Sequence, residues 1–299
     1  MVEEVSHKTS ITGKRFPIAT ICKVWNVPRS SVYAARQERA DFSEVRRRGP
    51  PPALPDDELT EQIRSVLTSG EFHGEGYRKV WARLRQRGIF TAKDRVRKLM
   101  CQAGLSAPHF KGPARRKVHD GRITTDVPDE MWGTDATSCL TREGQATIFL
   151  AVDHCTSECI GIHAARHGTR FEALEPLRQG VREHFGVYGK NAALGLSLRH
   201  DHGSQYTSHD FQAELKFLGI ATSPSFVAEP ECNGVSERFV RTLKEQLLWL
   251  QTFETIEELR LALIDFKHRY NNGWLVQKHG HITPRQARLK LTNTAAQAA

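Results

Sequence analysis

Two carboxylates within the single stretch Arg199 to Leu250 have the type and spacing to do chemistry. Asp201 sits in the polar turn His200-Asp201-His202-Gly203-Ser204, after the apolar segment Ala192 to Leu198, so its side chain is expected to project from a strand end. Glu237 opens a helical pattern in which Phe239, Leu243, Leu247 and Leu250 recur at helix spacing. With that stripe facing a core, Glu237, Arg241 and Lys244 share the opposite face. A hard divalent cation takes oxygen ligands, and sites that bind one through a few carboxylates leave the other positions to water and substrate. Such a site calls for a third acid upstream. The candidate is Asp135 in Met-Trp-Gly-Thr-Asp-Ala-Thr-Ser, where Trp132, Thr134, Ala136 and the β-prone Thr137 predict a strand that points Asp135 one way. Sixty-five residues separate Asp135 from Asp201, and 35 separate Asp201 from Glu237.

Each acid alone would be read as a solvated surface group, because most carboxylates are exposed. Their joint order carries more. At these residues the chain resembles the DDE transposase and integrase superfamily, whose cores carry an Asp, a second Asp and a Glu 35 residues further on; Lys244, seven residues past Glu237, fits the same pattern. The segments Asp-His-Gly-Ser-Gln-Tyr-Thr-Ser and Asn-Gly-Val-Ser-Glu-Arg-Phe-Val-Arg-Thr-Leu-Lys, followed by Tyr270-Asn271 and Thr283-Pro284, are similar to the second-frame (OrfB-type) transposases of bacterial insertion sequences over nearly the whole length. The resemblance implies a ribonuclease-H-like core with the first Asp on the first strand, the second after the fourth, and the Glu on a later helix. It further implies that Asp135, Asp201 and Glu237 are catalytic residues and ligands of Mg²⁺, with Mn²⁺ as a substitute. The implied reaction is DNA cleavage and strand transfer at the ends of a mobile element. Lys244 would grip DNA, and Arg241 beside it is a further candidate. Partners would be terminal inverted repeats, target DNA and a second copy of the chain, with an upstream-frame product joined by frameshift in some relatives. Many relatives carry Ser or Thr where this chain has His200.

The elements that must position these residues follow from the pattern after Asp129. Ala146–Asp153 and Glu158–Ala164 are short apolar runs separated by a polar turn and suit antiparallel strands. Phe171, Leu174, Leu177, Val181 and Phe185 predict a helix, Ala192–Leu198 a strand, Phe211–Leu218 a helix ended by Gly219, and Ile220–Pro224 a strand. The expected fold class is therefore α/β with a mixed sheet; the resemblance implies that this catalytic core is ribonuclease-H-like, preceded by small all-α helix-turn-helix domains. Its boundaries are 129–290, with a C-terminal helical element and a frayed tail at 291–299.

Charge divides the chain. Net charge is +9, yet residues 1–128 hold 25 Lys or Arg against 14 Asp or Glu, and residues 129–299 hold 18 against 20. A cationic front half favours a polyanion, since Lys and Arg release counterions from phosphates. Within it, residues 1–45 contain helix-turn-helix spacing around Asn26 and Pro28, 46–55 form a Pro/Arg-rich linker, 56–105 read as a second helix-turn-helix-like domain, and 106–128 are a basic linker. In the second domain Leu59, Ile63, Val66, Tyr77, Val80, Trp81, Leu84, Val96, Leu99 and Met100 are the expected core. Arg78, Arg83 and Arg95 are the leading DNA contacts, with Arg85, Arg87 and Arg97 beside them.

Other readings compete. His154, Cys155, Cys159 and His163 are all competent zinc ligands, but Cys159 and His163 fall on one face of a predicted strand, where Cys is commonly a small buried hydrophobe. The His200-Asp201 pair resembles that of helical metal phosphohydrolases, which the strand before it disfavours; the role of His202 stays open. A non-catalytic DNA-binding derivative and a simple ribonuclease-H-like nuclease remain as alternatives. The longest apolar run, Ile148–Val152, is too short for a membrane span, and the first residues lack a signal peptide's regions, so a cytoplasmic, nucleoid-associated protein without membrane partners is expected. Six irregularly spaced cysteines suit reduced thiols.

Overall fold

The computed structural model describes residues 13, 15–40, 53–108, 125–224 and 233–298. The chain divides into two compact units, Met1–Leu54 and Pro55–Ala299. In the first unit α1 (Ile18–Val24) and α2 (Arg29–Ala40) flank a turn in which Asn26 takes a positive φ of 51° before Pro28. Most of the linker expected at 46–55 and of the basic linker at 106–128 lies outside the described residues.

The second unit begins with three helices, α3 (Asp56–Thr68), α4 (Tyr77–Gln86) and α5 (Lys93–Gln102). Leu59, Ile63, Val66, Val80, Leu84, Val96, Leu99 and Met100 are buried together as their common core, so the helical periodicity of the sequence is also its packing pattern. Trp81 lies at the edge of this core, where its Nε1 donates to the Thr91 carbonyl at 2.8 Å.

The α/β part is a five-stranded mixed sheet in the order β3-β2-β1-β4-β5. Strands β1 (Met131–Thr141), β2 (Gly144–Asp153) and β3 (Cys159–Ala165) form an antiparallel meander, while β4 (Ser197–His200) and β5 (Ala221–Pro224) run parallel to β1. This is the ribonuclease-H-like order. Helices α6 (Arg170–Phe185), α7 (Ser204–Thr207) and α8 (His209–Leu218) belong to one face of the sheet, around Trp132, Phe149, Ile160, Leu198 and Tyr206. The other face carries α9 (Gly234–Leu243) and α10 (Ile256–Gly273), packed on Ile148, Leu150, Val152 and Ile162. Covering both faces explains why β2 reads as a nearly continuous apolar run.

Three expectations change. The strand predicted at Ala192–Leu198 is mostly turn, because Asn191 and Gly195 take left-handed φ of 58° and 95°, and regular pairing starts only at Ser197. The helix of Glu237 does not continue to Leu250: it passes into a π turn at Lys244–Leu248, closed by a bond from the Trp249 N–H to the Lys244 carbonyl, and Leu250 ends up exposed. The tail expected to fray continues the last helix, α11 (Pro284–Ala298), whose Thr-Ala-Ala-Gln-Ala sequence is rich in good helix formers.

Candidate active site

Asp135 sits in the middle of β1, opposite Leu150 of β2, with its side chain half-buried. Asp201 is the first residue after β4. The parallel pairing of β4 with β1 matches Ser197 to Met131 and Arg199 to Gly133; continued by two residues, the same register brings Asp201 level with Asp135. Its carboxylate accepts a 2.8 Å bond from the Gly203 N–H, which fixes the turn that carries it. Glu237 lies in the first turn of α9, exposed. That helix is tied to the sheet beside Asp135, because Asn233 Nδ2 donates to the Thr134 carbonyl at 2.9 Å.

Electrostatics joins the three. Burial raises the Asp135 carboxyl to about 6; the Ala136 N–H, at 2.8 Å, opposes this, the charges of Asp201 and Glu237 reinforce it, and Lys244 acts against them. Asp135 therefore feels both other acids, but among the described residues no group of three or more His, Cys, Asp or Glu closes on a point that could hold a metal ion. In kind the donors fit a hard divalent cation: all are carboxylates, and one is desolvated and further raised by its neighbours' charge, a repulsion that a bound cation would relieve.

Around the acids, the structure supplies partners that the sequence did not reveal. Thr134 Oγ1 donates to the Leu150 carbonyl at 2.8 Å and lies 3.4 Å from the Tyr206 hydroxyl. Tyr206 is fully buried, and burial together with the charges of Asp135 and Asp201 pushes its hydroxyl well above the ordinary phenol range, so it stays protonated. His200 is a packing residue: its ring nitrogens meet the Asp201 carbonyl at 2.7 Å and Thr222 Oγ1 at 2.8 Å, its ring lies against Tyr206 and Phe211, and burial lowers its pKa. His200 thus anchors the Asp201 turn. His202 is exposed.

The predicted DNA contacts separate into two groups. Arg78 is exposed, and Arg241 is 61% exposed in a 2.7 Å pair with Glu245. Lys244 is half-buried at the start of the π turn, within electrostatic reach of Asp135. Arg83 and Arg95 instead face inward. Arg83 pairs with the buried Glu75 and donates to the Gly273 carbonyl at 3.2 Å, while Arg95 pairs with Asp56 at 2.6 Å.

The rival zinc set is dispersed. A register shift in the β2–β3 pairing beside Val152 turns Cys159 toward α10, where its N–H donates to Asn271 Oδ1, whereas His163 bonds Glu172 of α6 at 2.7 Å. The two were expected on one face and lie on opposite ones. Burial also raises the Cys155 and Cys159 thiols to about 11 and about 12, away from the thiolate that zinc requires.

Residues 126–230 and 218–284 match two integrase core domain families, and residues 55–113 match an HTH-like domain. The chain is 24% identical over 285 residues to the transposase for insertion sequence element IS629 of Shigella sonnei, covering 92% of each chain. It is 23% identical over 255 residues to the transposase InsD for insertion element IS2-9 of Escherichia coli (strain K12), covering 82% of this chain and 80% of that one. Among solved structures, the catalytic core domain of BIV integrase aligns with a TM-score of 0.43 at 23% identity, over 56% of this chain and 99% of that one.

Proposed function

We infer the chemistry from family membership: this chain belongs to the integrase-core transposases of insertion sequences, enzymes of the polynucleotidyl transferase type, and its reaction is metal-dependent DNA cleavage followed by strand transfer. The observation that carries this reading is the convergence of charge at Asp135, a half-buried carboxyl that feels both Asp201 and Glu237 although the three come from a strand, a turn and a helix. In this reading Asp135, Asp201 and Glu237 would hold Mg²⁺, or Mn²⁺ in its place. When bound, the metal activates the attacking oxygen and offsets charge on the phosphodiester during in-line displacement. The chain's own groups do the rest. Asp135 supplies a carboxylate whose charge is crowded by its neighbours, the Gly203 N–H and His200 keep the Asp201 turn in place, and α9 presents Glu237. Lys244 and Arg241 neutralise the DNA backbone near the acids. The helical domain at 56–105, through exposed cations such as Arg78, binds the element's terminal repeats. Arg83 and Arg95, which have internal carboxylate partners, are better ascribed to holding that domain together. Pairing of two element ends requires a multimer on DNA, and an upstream-frame fusion would extend the front half.

The test is Asp201→Asn. The substitution keeps size and removes the charge a hard cation needs, so Mg²⁺-dependent cleavage of element-end DNA falls by orders of magnitude while duplex binding persists. Cleavage at the wild-type rate would overturn the three-carboxylate site.

A further inference from the structure

Gly133 and His154 meet where β1, the end of β2 and α9 come together. A methyl group added at Gly133 would lie 2.5 Å from Ser236 Oγ, 2.6 Å from Asn233 Oδ1 and 2.6 Å from His154 Nε2, so no side chain larger than hydrogen fits there. All three neighbours are buried: Ser236 at 0%, His154 at 4% and Asn233 at 8% exposure. Ser236 Oγ, Asn233 Oδ1 and His154 Nε2 converge on this glycine, and neither they nor His154 Nδ1 make a well-aligned hydrogen bond among the described residues. Burying four such atoms is costly, and an arrangement that persists at that cost is over-determined by its surroundings. Two of the three side chains belong to α9 or its N-cap, immediately before Glu237. The same Asn233 donates to the Thr134 carbonyl, one residue before Asp135.

We propose that Gly133, His154, Asn233 and Ser236 form a positioning device that sets the distance between β1 and α9, and thereby how Glu237 meets Asp135. None of the four touches substrate in this proposal. Gly133 lets the helix approach the strand, Asn233 fixes its axial register through the Thr134 carbonyl, and the His154 ring, from the turn after β2, closes the remaining side. Burial and the charges of Arg199 and Lys278 hold His154 down to about 4, although the Asn233 side chain pulls the other way; the ring is a neutral spacer at physiological pH. Glu237 stands in the first turn of α9, so the distance between that helix and β1 sets where its carboxylate begins.

The proposal rests on the reading of Asp135 and Glu237 as metal ligands, and the experiment separates the two. Mn²⁺ binding to the full-length protein, followed by electron paramagnetic resonance without DNA, is measured for Gly133→Ala, Asn233→Ala and, as a control, Asp135→Asn. The Mg²⁺ midpoint for cleavage of element-end DNA is measured in parallel. Both positioning variants are expected to weaken Mn²⁺ binding and raise the Mg²⁺ midpoint by about tenfold or more, the loss usual when support behind a metal ligand is removed. Their affinity for duplex DNA should stay at the wild-type value. A stabilising role alone would lower the melting temperature and leave both midpoints unmoved. If Gly133→Ala fails to fold, Asn233→Ala, which adds no atom, carries the same test. Wild-type midpoints in folded Asn233→Ala, with Asp135→Asn defective, would overturn the positioning device. Wild-type Mn²⁺ binding in Asp135→Asn would instead overturn the site on which it rests.

Discussion

The work of Asn271 is structural: its Oδ1 accepts from the Cys159 N–H and its Nδ2 donates to the Cys159 carbonyl, both at 2.9 Å and both buried. These bonds lie at the start of β3, beside the register shift, and anchor α10 to it. Asn271→Leu would strand two buried backbone groups, at a cost of about 1–3 kcal/mol each before compensation by apolar burial. The expected outcome is a clear drop in the urea midpoint, with the slope unchanged. Lys244 is of the opposite kind. Glu245 is taken by Arg241, and Lys244 lies close enough to lower the Asp135 pKa, which places its ammonium near the acids. Lys244→Ala should therefore weaken engagement of element-end DNA and reduce the slope of log affinity against log salt by about one, while fold and Mg²⁺ midpoint stay put. An unchanged salt slope in anisotropy titrations would return Lys244 to the surface.

At the scale of elements, the last helix is tied down through a buried charge cluster at Arg288, with Arg285 pairing with Glu183 beside it. Arg288 of α11 meets Asp129 at 2.5 Å and Asp153 at 3.2 Å and also pairs with Glu158; Asp153 and Glu158 are fully buried. Removing one partner of such a cluster leaves uncompensated charge, so Arg288→Ala is expected to cost about 3–5 kcal/mol. The sign of its pH dependence follows from Asp153, whose carboxyl burial raises to about 6 even with Arg288 present. A raised carboxyl binds protons more tightly in the folded state, so its contribution to stability declines as pH rises from about 4 to about 6. Without Arg288 that range extends upward. The loss in Arg288→Ala should then be larger at pH 7.5 than at pH 5, as urea unfolding at the two values would show. None of this was legible in the sequence, where Asp129, Asp153, Glu158 and Arg288 share no period. The strands, the inward stripe Phe239, Leu243 and Leu247, and the helical core of 56–105 were legible because each depends on spacing within one element. The π turn that exposes Leu250, the shift that parts Cys159 from His163, and the glycine under α9 depend on contacts between elements. Local periodicity carries no record of them.

For the molecule as a whole, charge divides the chain near residue 128, but packing divides it elsewhere. Residues 55–299 are one compact unit, and the helical domain is seated on the α/β core. Phe72 is buried in the same cluster as Phe239, Leu263, Phe266 and Tyr270, and its ring meets Trp274 edge-on at 5.0 Å. The His73 backbone exchanges two hydrogen bonds with the Gln246 side chain, at 2.8 and 2.9 Å, and Lys79 lies over the Trp274 ring. Burial there lowers the Lys79 pKa to about 7. Burying a phenylalanine is worth about 1.5–3 kcal/mol, and cutting the chain at 128 would forfeit that together with the polar contacts around it. A fragment 55–299 should therefore melt in a single transition, whereas 129–299 should melt several degrees lower and expose an apolar patch around Tyr270 and Trp274. Calorimetry of the two fragments decides the point. Equal melting temperatures, or two separate transitions in 55–299, would mean that the domains are energetically independent; a single transition would mean that the helical domain, once on DNA, is coupled to the framework that carries Asp135 and Glu237.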